Sequence, residues 1–157
     1  MDNLLKLLDT NARLTNAQLA VMLNLPEEDV AAQIAALERA GVVRAYKTLI
    51  DWDRTDREYV TAVIELRVTP RRDTGFETLA ETVAGFEEVE SVCLMSGGYD
   101  LSVLVSGRTF RDVADFVAKR LSTLDGVVST GTHFVLRRYK ERGVVFVGEE
   151  RDERGVR

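Results

Sequence analysis

Apolar residues in the first fifty positions recur at helical spacing. Leu4, Leu5, Leu7 and Leu8 follow Asp2 along one side of a short helix. Thr15 opens a second segment with Gln18 three residues on, the T-x-x-Q pattern in which two side chains cap a helix start reciprocally. Leu19, Met22 and Leu23 continue that segment. Asn24, a residue that tolerates left-handed backbone, marks its end. Pro26 fits the entry of a third helix, with Glu27, Glu28 and Asp29 near its positive end. Val30, Ile34 and Leu37 form its buried stripe, and Gly41 stops it. From Val42 to Ile50 the chain reads as extended. Two helices joined by Leu23-Asn24-Leu25-Pro26, with a strand after Gly41-Val42-Val43, fit a winged helix-turn-helix unit. A plain three-helix bundle has similar periodicity.

Residues 51–57 are polar and charged without periodicity. They read as a domain linker, or else as a surface loop within one domain. The pattern then changes. Val60, Ala62, Ile64, Leu66 and Val68 alternate with polar residues, a half-buried strand that Pro70 ends. Phe76, Leu79, Ala80 and Val83 form a helical stripe closed by Gly85. Val89 to Met95 and Leu101 to Val105 are strands joined at Gly97-Gly98. Phe110, Val113, Ala114, Val117, Leu121 and Leu124 predict the longest amphipathic helix, which Gly126 stops. Val127 to Tyr139 is a final strand. This order predicts an α+β chain whose second half is a ferredoxin-like βαββαβ domain with both helices on one sheet face. The strand around Val92 to Met95 is apolar on both sides, so its other face needs cover, and a second copy of the chain is the expected cover. Val144 to Val147 predicts a short extra strand, followed by a charged tail that frays. The expected domains are 1–50, the linker 51–57, 58–140, and an extension 141–157.

Charge and composition narrow the chemistry. The net charge of −5 argues against a broad nucleic-acid-coating surface but not against a local basic patch. Residues 1–56 carry 6 Lys and Arg against 9 Asp and Glu, so this stretch is not basic. One cysteine makes no internal disulfide and suits a reducing cytosol. One histidine and one cysteine exclude a Cys/His zinc site. Met1-Asp2-Asn3 lacks the basic start of a signal peptide, and no apolar run approaches a membrane span. Cys93 reads as a small core residue and His133 as a structural strand residue. Neither has a nucleophile–base partner nearby in sequence. No phosphate-cradling glycine loop opens a helix. No enzyme activity, metal or cofactor is expected.

The chain resembles the Lrp/AsnC, or feast/famine, family of transcription regulators. The resemblance rests on Leu4-Leu5-x-Leu7-Leu8, on Asn11-Ala12-Arg13-Leu14-Thr15-Asn16-Ala17-Gln18-Leu19-Ala20, and on Leu37-Glu38-x-x-Gly41-Val42-Val43. It continues through Met95-Ser96-Gly97-Gly98-Tyr99-Asp100-Leu101, Leu124-Asp125-Gly126-Val127, Thr130-x-Thr132-x-x-Val135-Leu136 and Lys140. It implies an N-terminal helix-turn-helix that binds double-stranded DNA. It also implies a C-terminal RAM domain that pairs subunits and binds a small effector, usually an amino acid. Such cytoplasmic proteins form dimers and often octamers.

The candidate residues follow from that resemblance and from their chemistry. Family members usually begin the third helix with Ser or Thr and carry Arg or Lys along it. Here the cap is Pro26, and the expected outer face is Glu27, Glu28, Ala32, Gln33, Ala35 and Ala36. Gln33 suits adenine and Glu28 suits cytosine N4, while Arg13, Arg39, Arg44 and Lys47 supply positive charge. A helix-turn-helix that has lost DNA binding, in an oligomer that still senses an amino acid, is the alternative. The effector is expected at Ser96, Gly97, Gly98, Tyr99 and Asp100, with Thr130 and Thr132. The glycines let backbone approach a ligand, and Asp100 can take its ammonium group. A plain two-glycine hairpin capped by Asp100 explains the same residues without a ligand, and strands also use threonine freely.

Overall fold

In a computed structural model of the chain, residues 2–70, 72 and 75–146 are described. Val147 and the charged tail to Arg157 lie outside the described residues. The chain divides between Ile50 and Asp51 into two units, each with its own core.

The first unit contains α1 (Asp2–Thr10), α2 (Asn16–Leu23) and α3 (Glu27–Arg39). Both arms of the α2 capping box form. The Gln18 N–H donates to Thr15 Oγ1 at 3.2 Å, and the Thr15 N–H donates to Gln18 Oε1 at 2.9 Å. Asn24 takes φ 54° and ψ 49°, and this left-handed residue turns the chain toward α3. Pro26 caps α3 with no side-chain bond, as its chemistry dictates. Leu4, Leu8, Leu19, Ala20, Val30 and Leu37 close the core.

Met22 is 60% exposed, whereas Ala20 is buried. The core-facing arc of α2 spans Leu19, Ala20 and Leu23, and at ~100° per residue Met22 falls just outside it. Residues 44–50 form no helix and join no sheet, so the strand expected after Gly41 does not form. A strand needs a hydrogen-bonded neighbour. Among the described residues the first unit supplies none.

The second unit opens on a 3₁₀ turn, Trp52–Arg54. Trp52 meets Tyr59 at 5.4 Å between ring centroids, and the Arg57 guanidinium lies 4.7 Å from the Trp52 ring. Residues 51–57 therefore pack with this unit. It continues with β1 (Val60–Val68), α4 (Glu77–Ala84), β2 (Val89–Leu94), β3 (Leu101–Gly107), α5 (Phe110–Phe116) and β4 (Val127–Phe134). The strands pair antiparallel in the order β2-β3-β1-β4, the ferredoxin-like arrangement. Ala62, Ile64 and Leu66 of β1 and Leu101, Val103 and Val105 of β3 form one buried cluster with Val83 of α4 and Val113 of α5. Both helices thus cover one face. Directly paired residues share a face, so Val63, Glu65, Cys93, Leu104 and His133 lie on the other.

The last helix and strand are shorter than their apolar runs. After Phe116 the helix widens into a π turn, Val117–Leu121, in which the Ser122 N–H reaches the Val117 carbonyl at 2.9 Å. The wider turn sets Phe116, Val117 and Leu121 all against the sheet, where each is at most 6% exposed. The 13 residues of α3, not the segment after Phe110, make the longest helix described. β4 stops at Phe134 rather than Tyr139; β1 begins at Val60, and past the Ala62–Phe134 pair only the Val135 N–H, donating to the Thr61 carbonyl at 2.9 Å, continues the pairing. A separate hairpin follows, β5 (Lys140–Glu141) paired with β6 (Val144–Val145). Arg142 and Gly143 turn it at φ 45° and 86°, the two positive values that a tight hairpin demands.

Candidate functional site

In the first unit α3 follows α2 across the tight turn at Asn24. Its first turn holds Glu27, Glu28 and Asp29, and its last turn holds Arg39. Arg13, Glu28, Arg39, Arg44 and Lys47 are exposed. Among the described residues, none of these four cations pairs with a carboxylate, so their charge is free for a phosphate. Gln33 is only half-exposed, beside the stripe of Val30, Ile34 and Leu37. Glu27, Glu28, Asp29, Ala32, Ala36, Glu38 and Arg39 are exposed on α3, and Ala35, expected outward, is also only half-exposed. Near the end of this unit the Tyr46 hydroxyl donates to Glu38 Oε1 at 2.9 Å. Desolvation and then this carboxylate push its ionisation above the ordinary tyrosine range.

The second unit gathers its loops at one end of the sheet. Gly97 holds φ 151°, backbone that side-chain-bearing residues rarely adopt. Asp100 is tied into β1 from two sides. Its Oδ2 accepts the Val68 N–H at 2.8 Å, and its own N–H donates to the Leu66 carbonyl at 2.9 Å. One carboxylate oxygen therefore does a structural task, as the bland hairpin explanation requires. No bond to Oδ1 occurs among the described residues.

Thr130 pairs with Leu66 and Thr132 with Ile64, so both hydroxyls stand on the helix side of β4. β1 separates them from the 96–100 loop by two strand spacings, or ~10 Å. Within one chain the two groups are neighbours across Leu66 and do not form one pocket. A cavity of about 210 Å³ lies at the same end of the sheet, lined in part by Val68, Thr69, Phe76, Leu79, Leu124 and Asp125. None of Ser96 to Asp100, Thr130 or Thr132 lines it. Sequence reasoning missed it because its walls come from three separate loops and helices, and only folding joins them. Among the described residues no cluster of three His, Cys, Asp or Glu side chains is placed to hold a metal. No described helix is long and apolar enough to cross a membrane.

Comparison with known proteins places both units. Residues 3–44 match the family described as winged helix-turn-helix DNA-binding, and residues 61–145 match the Lrp/AsnC ligand binding domain. An uncharacterized HTH-type transcriptional regulator of Bacillus subtilis (strain 168), YugG, is 47% identical over 154 residues, 98% of this chain and 93% of that protein. A transcriptional regulator from Neisseria meningitidis, solved as an L-Met complex, superposes with TM-score 0.72 at 27% identity, covering 88% of each chain. The fold is also that of Escherichia coli AsnC, at TM-score 0.69 and 19% identity over 90% of this chain and 93% of that one.

Proposed function

Because the chain belongs to the Lrp/AsnC family of DNA-binding transcription regulators, we propose that an amino acid bound to its second unit changes how copies of its helix-turn-helix engage an operator. The names carried by the family and by the relatives are those of regulators, not enzymes. The observation that carries the proposal is the presence of a helix-turn-helix match and a ligand-binding-domain match on one chain. The L-Met in the Neisseria relative supports an amino acid as the effector class.

The chemistry of the second unit suits a zwitterion. The Asp100 oxygen left over from its bond to Val68 takes the ammonium group. The backbone around Gly97 and Gly98, flanked by Ser96 and Tyr99, faces the carboxylate. Thr130 and Thr132 of a neighbouring copy complete the hydrogen bonds, since ~10 Å separates them from Asp100 within one chain. The protein acts in the cytoplasm as a dimer that assembles further, up to an octamer. On DNA, Arg13, Arg39, Arg44 and Lys47 hold phosphates, while Glu28 meets a base edge and the half-buried Gln33 does not. Each unit binds weakly because α3 is acidic, and the oligomer restores affinity through avidity. The effector then acts by favouring one arrangement of the assembly over another.

The test is a mobility shift on the protein's own promoter DNA across a salt series, with each amino acid added in turn. A complex that weakens steeply with salt and responds to one amino acid supports the proposal. A complex indifferent to all of them removes the amino acid. Absence of any complex removes the operator.

A further inference from the structure

α3 offers DNA an uncommon face. At ~100° per residue, Glu28, Ala32 and Arg39 lie within about 40° of one another, opposite Val30 and Leu37. All three are exposed, and Val30 and Leu37 are buried. Ala35 and Ala36 flank the stripe with methyl groups only. Gln33 sits about 60° from Val30, too close to the core to face a groove squarely. A recognition helix meets base edges with its N-terminal residues. Glu28 and Ala32 are therefore its readers, and Arg39 in the last turn reaches the phosphates.

We propose that the half-site read by one copy has a cytosine facing Glu28 and, within about two base pairs, a thymine facing Ala32. This rests on the DNA-binding role above and goes beyond it by fixing the base chemistry. A carboxylate only accepts hydrogen bonds. In the major groove cytosine shows the N4 donor, whereas guanine and thymine show acceptors and adenine sets an acceptor beside its donor. Every base except cytosine thus brings an acceptor toward Glu28 and leaves a desolvated carboxylate without a full partner. Discrimination comes as much from rejecting wrong bases as from attracting the right one. Glu27 and Asp29 add to this by repelling the phosphate backbone of any sequence, which holds non-specific binding down. Ala32 has only a methyl group to offer, and the thymine methyl is its match. Four residues of helix rise ~6 Å, against ~3.4 Å per base pair, which sets the two-base-pair limit.

The test is selection of random-sequence duplexes by the full-length protein, with bound DNA recovered by mobility shift and sequenced. The expected half-site has a fixed cytosine with a thymine no more than two base pairs away. Glu28→Ala should lose at least about fivefold of the cytosine preference, with the other positions unchanged. Glu28→Gln keeps the shape without the charge and should move that position toward adenine. A selected half-site with no fixed cytosine overturns the proposal, as does a cytosine that persists in both variants. DNA binding itself survives either result. If the wild-type chain selects no sequence at all, the proposal and the DNA-binding role fall together.

Discussion

Asp100 carries a structural bond and, in the proposed function, a ligand's charge as well. Its Oδ2 satisfies the Val68 N–H, which would otherwise go unpaired at a residue only 7% exposed. Asp100→Ala should therefore lower stability by about 1–3 kcal/mol, the cost of a buried donor without an acceptor. Asp100→Asn keeps an accepting oxygen and should cost less than about 1 kcal/mol. It removes the charge proposed to hold an ammonium group, so effector binding should vanish from a chain that still folds. Urea unfolding gives the first comparison and calorimetry against a panel of amino acids the second. Equal unfolding midpoints for Asp100→Ala and wild type would show that the bond to Val68 holds nothing. An Asp100→Asn chain that binds its amino acid as tightly as wild type would leave the residue a purely structural role. The sequence pointed to Asp100, but not to its tie with Val68, because that bond joins positions 32 residues apart.

At the scale of elements, local chemistry was legible and partnering was not. The Thr15–Gln18 box, the left-handed Asn24 and the glycine stop after α4 each depend on neighbours within a few residues, and each stands as expected. Thr15→Ala removes one arm of the box and strands the other, so it should cost about 1 kcal/mol. Thermal unfolding followed by circular dichroism would register that loss, and an unchanged midpoint would mean that α2 is held by packing alone. Strand ends behaved differently. Val135, Leu136 and Tyr139 continue the apolar run, yet β4 stops at Phe134, two residues before its partner β1 reaches its own end at Val60. Length was set by where pairing stops, which propensity does not contain. The same holds after Gly41, where the expected strand found no neighbour. The π turn at Val117–Leu121 likewise answers to the sheet beneath it rather than to its own residues. For the candidate sites, residue types guided the choice of Glu28 and the cations. The half-burial of Gln33, expected on the outer face, emerged only from the packing of α3.

For the whole molecule, the decisive surface is the sheet face that α4 and α5 leave uncovered. Val63 and Leu104 lie there half-buried, with Cys93 exposed beside them. A second copy of the chain laid on this face would hide that apolar surface from water. Leu104→Lys should then reduce the assembly to a smaller species with its helical content unchanged, as read by sedimentation and circular dichroism. A variant that sediments like the wild type would move the interface elsewhere. The two cores described above share no side chain. That separation has a consequence in heredity. A substitution on the outer face of α3 disturbs the packing of one core at most. After gene duplication, one descendant can drift toward a new promoter while its inherited sensor stays intact, and lineages can rewire which genes answer a signal without inventing a new way to perceive it.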